Sequence, residues 1–317
     1  MRSVESLYSV NMTITQRTYD HARDFDRVGR FLTATYYDPA TPQHGHINWL
    51  MSRWEYMHYH PLIEGVDLNT IAIWESGGDI VAVAHPEHPG SPAYFEIHPA
   101  HESRLLKYEI LAHAEKVICA AGDNPANQKH EGIYLVDGDE EFRKIARAAG
   151  YSPTESREPT TRVATGSVAD SSPLPAGYRL QSMADDNDLV KMHRLLHRGF
   201  DHAGEPPEDG VAERAFMQSA LNFRKDLNIV AVAPNGDWAS YCGMWYEPAQ
   251  KIAYVEPVAT DPDYRLRGLG KAVVAEGIRR CQALGAEVAY VGATFPIYLS
   301  LGFRLVYGSR KWTRRSP

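Results

Sequence analysis

The stretch Val258-Ala-Thr-Asp-Pro-Asp-Tyr-Arg-Leu-Arg-Gly-Leu-Gly-Lys271 carries more information than any other in this 317-residue chain. A β-branched apolar run, Ile252–Thr260, leads into it, and a helix-like run from Gly268 to Leu284 leads out. The segment therefore reads as a strand, a turn and a helix start. Gly268 and Gly270 permit unusual backbone angles and the close approach of a ligand. The first amides of a helix lack intrahelical partners, and the helix dipole favours an anion there. With Arg265, Arg267 and Lys271 alongside, the turn suits a pyrophosphate. A dinucleotide site would place GxGxxG after the first strand, whereas R-x-x-G-x-G here lies four strands into its unit. A Walker A loop requires GxxxxGK[ST], and Gly-Leu-Gly-Lys-Ala excludes it. The glycines alone would equally fit a plain helix start beside clustered arginines.

Around this segment the second half reads as strand Tyr178–Ser182, helix Asp185–Phe200, a Pro- and acid-rich loop, and helix Val211–Leu221. Strands Asn228–Ala233, Trp238–Tyr246 and Ile252–Thr260 follow, then the helix ended by Gly285, strand Glu287–Val291, a short helix near Pro296–Leu301 and strand Phe303–Trp312. The first half repeats the order. Strand Thr13–Thr18 precedes helices His21–Tyr36 and Asn48–Tyr59, and strands Thr70–Glu75, Ile80–His85 and Tyr94–Ile97 precede helix Glu102–Ala121. Strand Gly132–Val136 and helix Glu140–Ala149 close it. Between the halves, Tyr151–Gly177 holds four prolines and many Ser and Thr and reads as a linker. The expected division is a first unit over 1–165, a linker over 166–177 and a second unit over 178–317, a tandem duplication inferred from element order.

Arg265-x-x-Gly268-x-Gly270 after Asp-Pro-Asp-Tyr resembles the acyl-CoA signature of the GNAT superfamily of N-acyltransferases. Twenty-eight residues past Gly270, Tyr298-Leu-Ser-Leu-Gly302-Phe303 resembles that family's Y-x-x-x-G-F element. The resemblance covers roughly 178–317; the first half matches in architecture alone. It departs before Tyr298, where Thr-Phe-Pro-Ile replaces the usual Asn and Ala. It implies an α/β fold of two tandem GNAT-like units, each a mixed central sheet with a splayed fourth strand and flanking helices. It also implies acetyl-CoA as co-substrate. The backbone of Val258 and Thr260 would pair with the pantetheine arm, the amides of Leu266 through Lys271, Leu269 included, would hold the pyrophosphate, and Arg265 and Arg267 would lend charge. Tyr298 would protonate the departing thiolate, a phenol being protonated at neutral pH.

The attacking amine must first lose a proton. Glu256 alternates along its strand with Val258 and Thr260, which would place all three on one face and makes Glu256 the candidate base. The alternative is a structural strand carboxylate; Glu247 and Tyr254 stand in reserve, and many relatives work through water. In the first half the equivalent stretch, Glu96-Ile-His-Pro-Ala-His-Glu-Ser-Arg, has no glycine after its His-Pro, Glu102 would repel a phosphate, and Ala146 stands where Tyr298 would be. That half reads as a degenerate copy that packs, dimerises or walls the acceptor pocket.

Composition bounds the rest. Against 40 acids stand 33 Lys and Arg, which argues against a nucleic-acid partner. Cys119, Cys242 and Cys281 form no disulfide framework or metal motif and fit a reducing cytoplasm. No apolar stretch reaches a membrane span and no secretory leader is seen. Of the 14 histidines, His193 and His197 sit four apart, yet no third ligand stands out and no metal is expected. Trp49, Trp54, Tyr56 and Tyr59 read as core or interface. Glu205, Glu208 and Asp209 read as a solvated loop or as a lid attracting a cationic amine. Cys242 and Cys281 read as small core residues.

The function expected is direct acetyl transfer to a primary amine, with a small-molecule acceptor and a homodimer left open. The rival readings are an acyl-CoA-binding sensor or scaffold without turnover, and a peptide or protein lysine acetyltransferase. The tandem plan is also similar to that of mycothiol synthases, which keeps thiol-cofactor biosynthesis open.

Overall fold

The computed structural model describes residues 13–36, 49–118, 132–168, 173–208 and 210–314. In the first unit β1 (Ile14–Thr18), β2 (Ala72–Ser76), β3 (Asp79–His85) and β4 (Tyr94–Ile97) form an antiparallel four-stranded sheet in that order. Helices α1 (His21–Thr35) and α2 (Met51–Tyr59) pack on one face of it, and α3 (Arg104–His113) on the other. Asp20 caps α1 by accepting from the Arg23 amide, and Ser103 caps α3 by accepting from Leu106. The helix expected over Glu102–Ala121 starts at Arg104 and runs on as a π turn over Ala114–Ile118; residues 119–121 lie outside the described residues.

Eight strands make the second sheet: β5 (Ile133–Val136), β12 (Arg304–Arg314), β6 (Tyr151–Ala164), β11 (Val288–Val291), β10 (Ile252–Thr260), β9 (Trp238–Glu247), β8 (Ile229–Val232) and β7 (Arg179–Ser182), in spatial order. Helix α4 (Glu140–Ala148) joins β5 to β6; α5 (Leu189–Gly199), α6 (Gly210–Met217), α7 (Leu269–Ala283) and α8 (Pro296–Ser300) belong to the second half. The strand that ends the first half, β6, lies against β11, while the strand that ends the chain, β12, lies between β6 and β5. The units are therefore joined by exchanged final strands.

The reading of Tyr151–Gly177 as irregular linker is corrected over its first part, since Tyr151–Ala164 is a 14-residue strand. Prolines in a run argue against a central strand. Here Pro153 and Pro159 lie where β6 pairs with β12 on one side, contact with β11 being confined to Thr161–Ala164.

Trp49 and Trp54 are fully buried, and Cys242 and Cys281 lie in the core between the second sheet and α7. A further cluster crosses between halves: Leu50 joins Ala220, Trp245, Ile252, Tyr254 and Tyr290, with Tyr56 and Tyr59 packed against it. Among the described residues no helix is long and apolar enough to cross a membrane. Cys119 lies outside the described residues.

Candidate active site

β10 pairs in parallel with β11 only over Ile252–Tyr254 and Val288–Tyr290. Beyond Tyr254 the two strands part, so the backbone of Val258 and Thr260 borders an opened edge. In the first unit, β4 and β5 are likewise joined only by the Ala93–Ile133 bridge.

On its other side β10 pairs with β9, but the register shifts between Val255 and Val258, so that Glu256 and Pro257 lie opposite Gly243. This is a β-bulge. A Cβ on Gly243 would sit 2.5 Å from the Glu256 carbonyl oxygen, so only glycine admits it. The bulge corrects the expected alternation. Val255 packs into the core under α7 and Val258 against it, and Thr260 Oγ1 lies beside Gly270 of α7. Tyr254 and Ala259 belong to the clusters on the opposite face. Glu256 thus follows Tyr254, away from Val258 and Thr260; a one-residue insertion swaps the faces.

Where the strands part there is a cavity of about 570 Å³. Glu256, Val258 and Tyr298 line it from the second half; Arg53, Tyr56 and Glu158 line it from the first. Glu256 is half-buried, opening on this cavity. Burial pushes its carboxyl up to about 7, against the opposing pull of the Arg53 guanidinium and a Tyr254 hydrogen bond. Tyr298 sits on α8, packed edge-on against Phe303 with ring centroids 5.7 Å apart. Burial raises its phenol further above the ordinary range, and the nearby Glu256 charge adds to that, so it stays protonated throughout the neutral range. The reserve carboxylate Glu247 is not part of the cavity lining; it accepts the Ser52 amide at 2.8 Å and serves α2.

The turn after β10 is built as a cradle. Asp261 caps it by accepting from the Asp263 amide at 3.0 Å, and Arg198 of α5 grips Asp261 at 2.6 and 3.1 Å. Leu266 has φ 61° and its side chain is fully exposed. Gly268 has φ 78°, and nothing lies within 4 Å of where its Cβ would be. The α7 start has no side-chain cap, so the amides of Leu269, Gly270 and Lys271 open outward. A Cβ on Gly270 would meet Ile297 Cδ1 at 2.9 Å, which is how α8 and Tyr298 come close. The basic residues are tethered: Arg265 to Asp201 at 2.8 Å and to the Gly199 carbonyl, Arg267 to the Tyr178 hydroxyl at 3.0 Å, and Lys271 to the Ser300 carbonyl at 3.3 Å.

The first unit's counterpart is closed. Ser103 satisfies an amide at the α3 start, and buried Lys107 is ion-paired to Glu102 and, at 2.8 Å, to Asp139. Its His98-Pro99 turn keeps the design of the Asp261 turn, with His98 accepting from Ala100.

Some expected residues stand apart. Glu205 and Glu208 are exposed and do not line the cavity, and Asp209 lies outside the described residues. His193 is buried beneath Gly210 and, with His197, misses the cavity; His60 and His202 reach it instead. Burial lowers His60 to about 4, with the Arg214 charge adding to it. Among the described residues no three His, Cys, Asp or Glu gather to hold a metal. Sequence reasoning missed Arg53, hidden in a helix read as core, and Glu158, hidden in a stretch read as linker.

Opened parallel strands, an uncapped glycine-led helix start and an adjoining tyrosine thus meet on one side of an α/β fold. Residues 189–299, within the second unit, match the model of the acetyltransferase (GNAT) family. A mycothiol acetyltransferase from Saccharomonospora viridis is 26% identical over 254 residues, spanning 73% of this chain and 78% of that protein. The GCN5-related N-acetyltransferase from Sphaerobacter thermophilus superposes with TM-score 0.66 at 14% identity, covering 94% of each chain. A tandem GNAT protein from the clavulanic acid biosynthesis pathway superposes with TM-score 0.62 at 14% identity, covering 95% of this chain and 97% of that one. The expected fold, tandem GNAT-like units with opened fourth strands, is the fold found.

Proposed function

We propose that the protein transfers an acetyl group from acetyl-CoA to a primary amine of a small molecule by direct attack. The observation that carries this reading is that Glu256 and Tyr298 share one cavity, beside an uncapped helix start whose only neighbour at Gly268 is open space.

The residues fit acetyl-CoA. The open edge at Val258 and Thr260 suits an extended amide-bearing arm, and the amides of Gly268 to Lys271 suit a pyrophosphate. Glu256 accepts a proton from the incoming ammonium. The freed nitrogen attacks the thioester carbonyl carbon, the C–N bond forms and the C–S bond breaks. Tyr298 donates its hydroxyl proton to the sulfur, so CoA leaves as the thiol, and the second proton that the nitrogen loses as the amide forms passes to solvent, from which the Tyr298 phenol is restored. A carboxyl near pH 7 and a phenol above it are ordered correctly for base and acid.

A mycothiol-type precursor as acceptor is a narrower reading, supported by the 26% identical relative and by the tandem plan. Thermal unfolding with and without acetyl-CoA tests the co-substrate. At about 100 times its dissociation constant a ligand adds about 2.7 kcal/mol to the native state. A shift in wild type that vanishes in Gly268→Glu supports the reading. No shift in folded wild type sinks it and favours a scaffold.

A further inference from the structure

We propose that Glu158 is a specificity residue of the acceptor pocket, and that the acceptor is a diamine: one nitrogen is acetylated beside Glu256 while the second, still cationic, is held by Glu158. The inference rests on the acetyltransferase reading above.

Among the described residues Arg53 is the one arginine or lysine lining the cavity. Its guanidinium lies over the Trp49 ring, 4.3 Å from the centroid, and is bound by both Glu87 oxygens at 3.0 Å. Glu87 therefore takes most of its charge. Glu158 shares Arg53 as a second, longer ion pair at 3.6 Å, beyond hydrogen-bonding distance, and accepts from the neutral Tyr94 hydroxyl at 2.6 Å, so two carboxylates face one guanidinium. His60 does not supply the missing charge, because burial keeps its imidazole neutral at pH 7 and its Nδ1 accepts the Leu62 amide. His202 stands at the exposed mouth.

During transfer Glu256 is neutralised by the proton it takes from the reacting nitrogen. Glu158 gains no such partner from that nitrogen. A second positive group on the acceptor would complete the balance, and a part-buried carboxylate attracts such a group more strongly than one in bulk water does. The walls suit a cation too: Tyr56, Phe200 and Phe295 line the same cavity, and aromatic faces attract alkylammonium groups. Glu158 lies opposite Ser309 in the exchanged pair β6 and β12, so it is placed by a long strand rather than by a loop.

The test compares putrescine with n-butylamine, amines of equal chain length, by release of the CoA thiol from acetyl-CoA. Wild type and Glu158→Gln are both assayed, and thermal unfolding with acetyl-CoA checks that each is folded and binds co-substrate. The expected result is a kcat/KM at least tenfold higher for putrescine in wild type, collapsing toward unity in Glu158→Gln through a raised KM. Equal use of the two amines by wild type, or a preference that survives in Glu158→Gln, overturns the proposal. So does acetylation of neither amine by a protein that acetyl-CoA stabilises, and in that case the co-substrate reading survives. Absence of any acetyl-CoA shift in wild type removes the acetyltransferase reading and this inference together. Should Glu158→Gln fail to fold, the wild-type preference alone decides.

Discussion

Glu247 of β9 accepts the backbone amide of Ser52 at 2.8 Å, 195 residues away in sequence. One carboxylate of the second unit thereby caps the helix of the first unit that carries Arg53 and Tyr56 to the cavity. Glu55 on the same helix answers in the reverse direction, accepting the Asn222 amide at 2.7 Å and its side chain at 2.6 Å. Both carboxylates are buried, and burial raises both.

Glu247→Ala should therefore loosen α2. Leaving the buried Ser52 amide without an acceptor costs about 1–3 kcal/mol, measurable as a lower urea midpoint. The acetyl-CoA shift should persist, because α2 does not border the cradle, while KM for the amine rises. An unchanged KM would show that α2 is not part of the acceptor wall.

Tyr298→Phe removes the proposed proton donor and keeps the ring packed on Phe303. Transfer should fall by about 100- to 10,000-fold, with the acetyl-CoA stabilisation retained. Loss of that stabilisation would mean that the hydroxyl serves binding.

The pH profile follows from Glu256. As the proposed base it works deprotonated, and burial pushes its carboxyl up to about 7, so kcat/KM should rise as pH increases through about 7. Glu256→Gln should abolish transfer and the ascending limb. The stability sign is opposite: a carboxyl raised in the folded state binds more protons there than when unfolded, so its contribution to stability falls as pH climbs from about 4.5 to 7. Glu256→Gln should accordingly gain melting temperature over wild type above pH 7 and lose that advantage near pH 4. A constant difference across that range would contradict the shift.

Gly268→Ala forces a side chain into left-handed backbone, costing about 1–2 kcal/mol, yet its Cβ meets open space. It should lower the melting temperature modestly and keep acetyl-CoA binding. Gly268→Glu should abolish binding, because it adds a negative charge at the anion cradle. Equal binding by both variants would remove the anion assignment.

The cradle was legible because turn chemistry is local: Gly268, Gly270 and the Asp-Pro cap announce themselves within ten residues of chain. The Tyr298 element was legible for the same reason. Glu256 was found by a strand alternation that the bulge opposite Gly243 breaks, since a bulge depends on the partner strand and leaves no period in its own. Arg53 and Glu158 were not legible. Each acquires its place only when strands and helices from distant parts of the chain meet, and the prolines of β6 concealed a strand because they occupy its singly paired stretch.

The exchange of β6 and β12 has a consequence for biogenesis. Among the described residues β5 has its ladder partner in Arg304–Arg314 and touches β4 only at the Ala93–Ile133 bridge, so the first unit emerges from the ribosome with an open sheet edge and keeps it until that late strand is made. Pairings this distant in sequence carry a large loop-closure cost and form late. During that interval the exposed edge invites pairing with other nascent chains, so the charged and proline-bearing positions along β6, Glu155, Arg157, Glu158 and Pro159, also act as guards on a strand that waits for its partner.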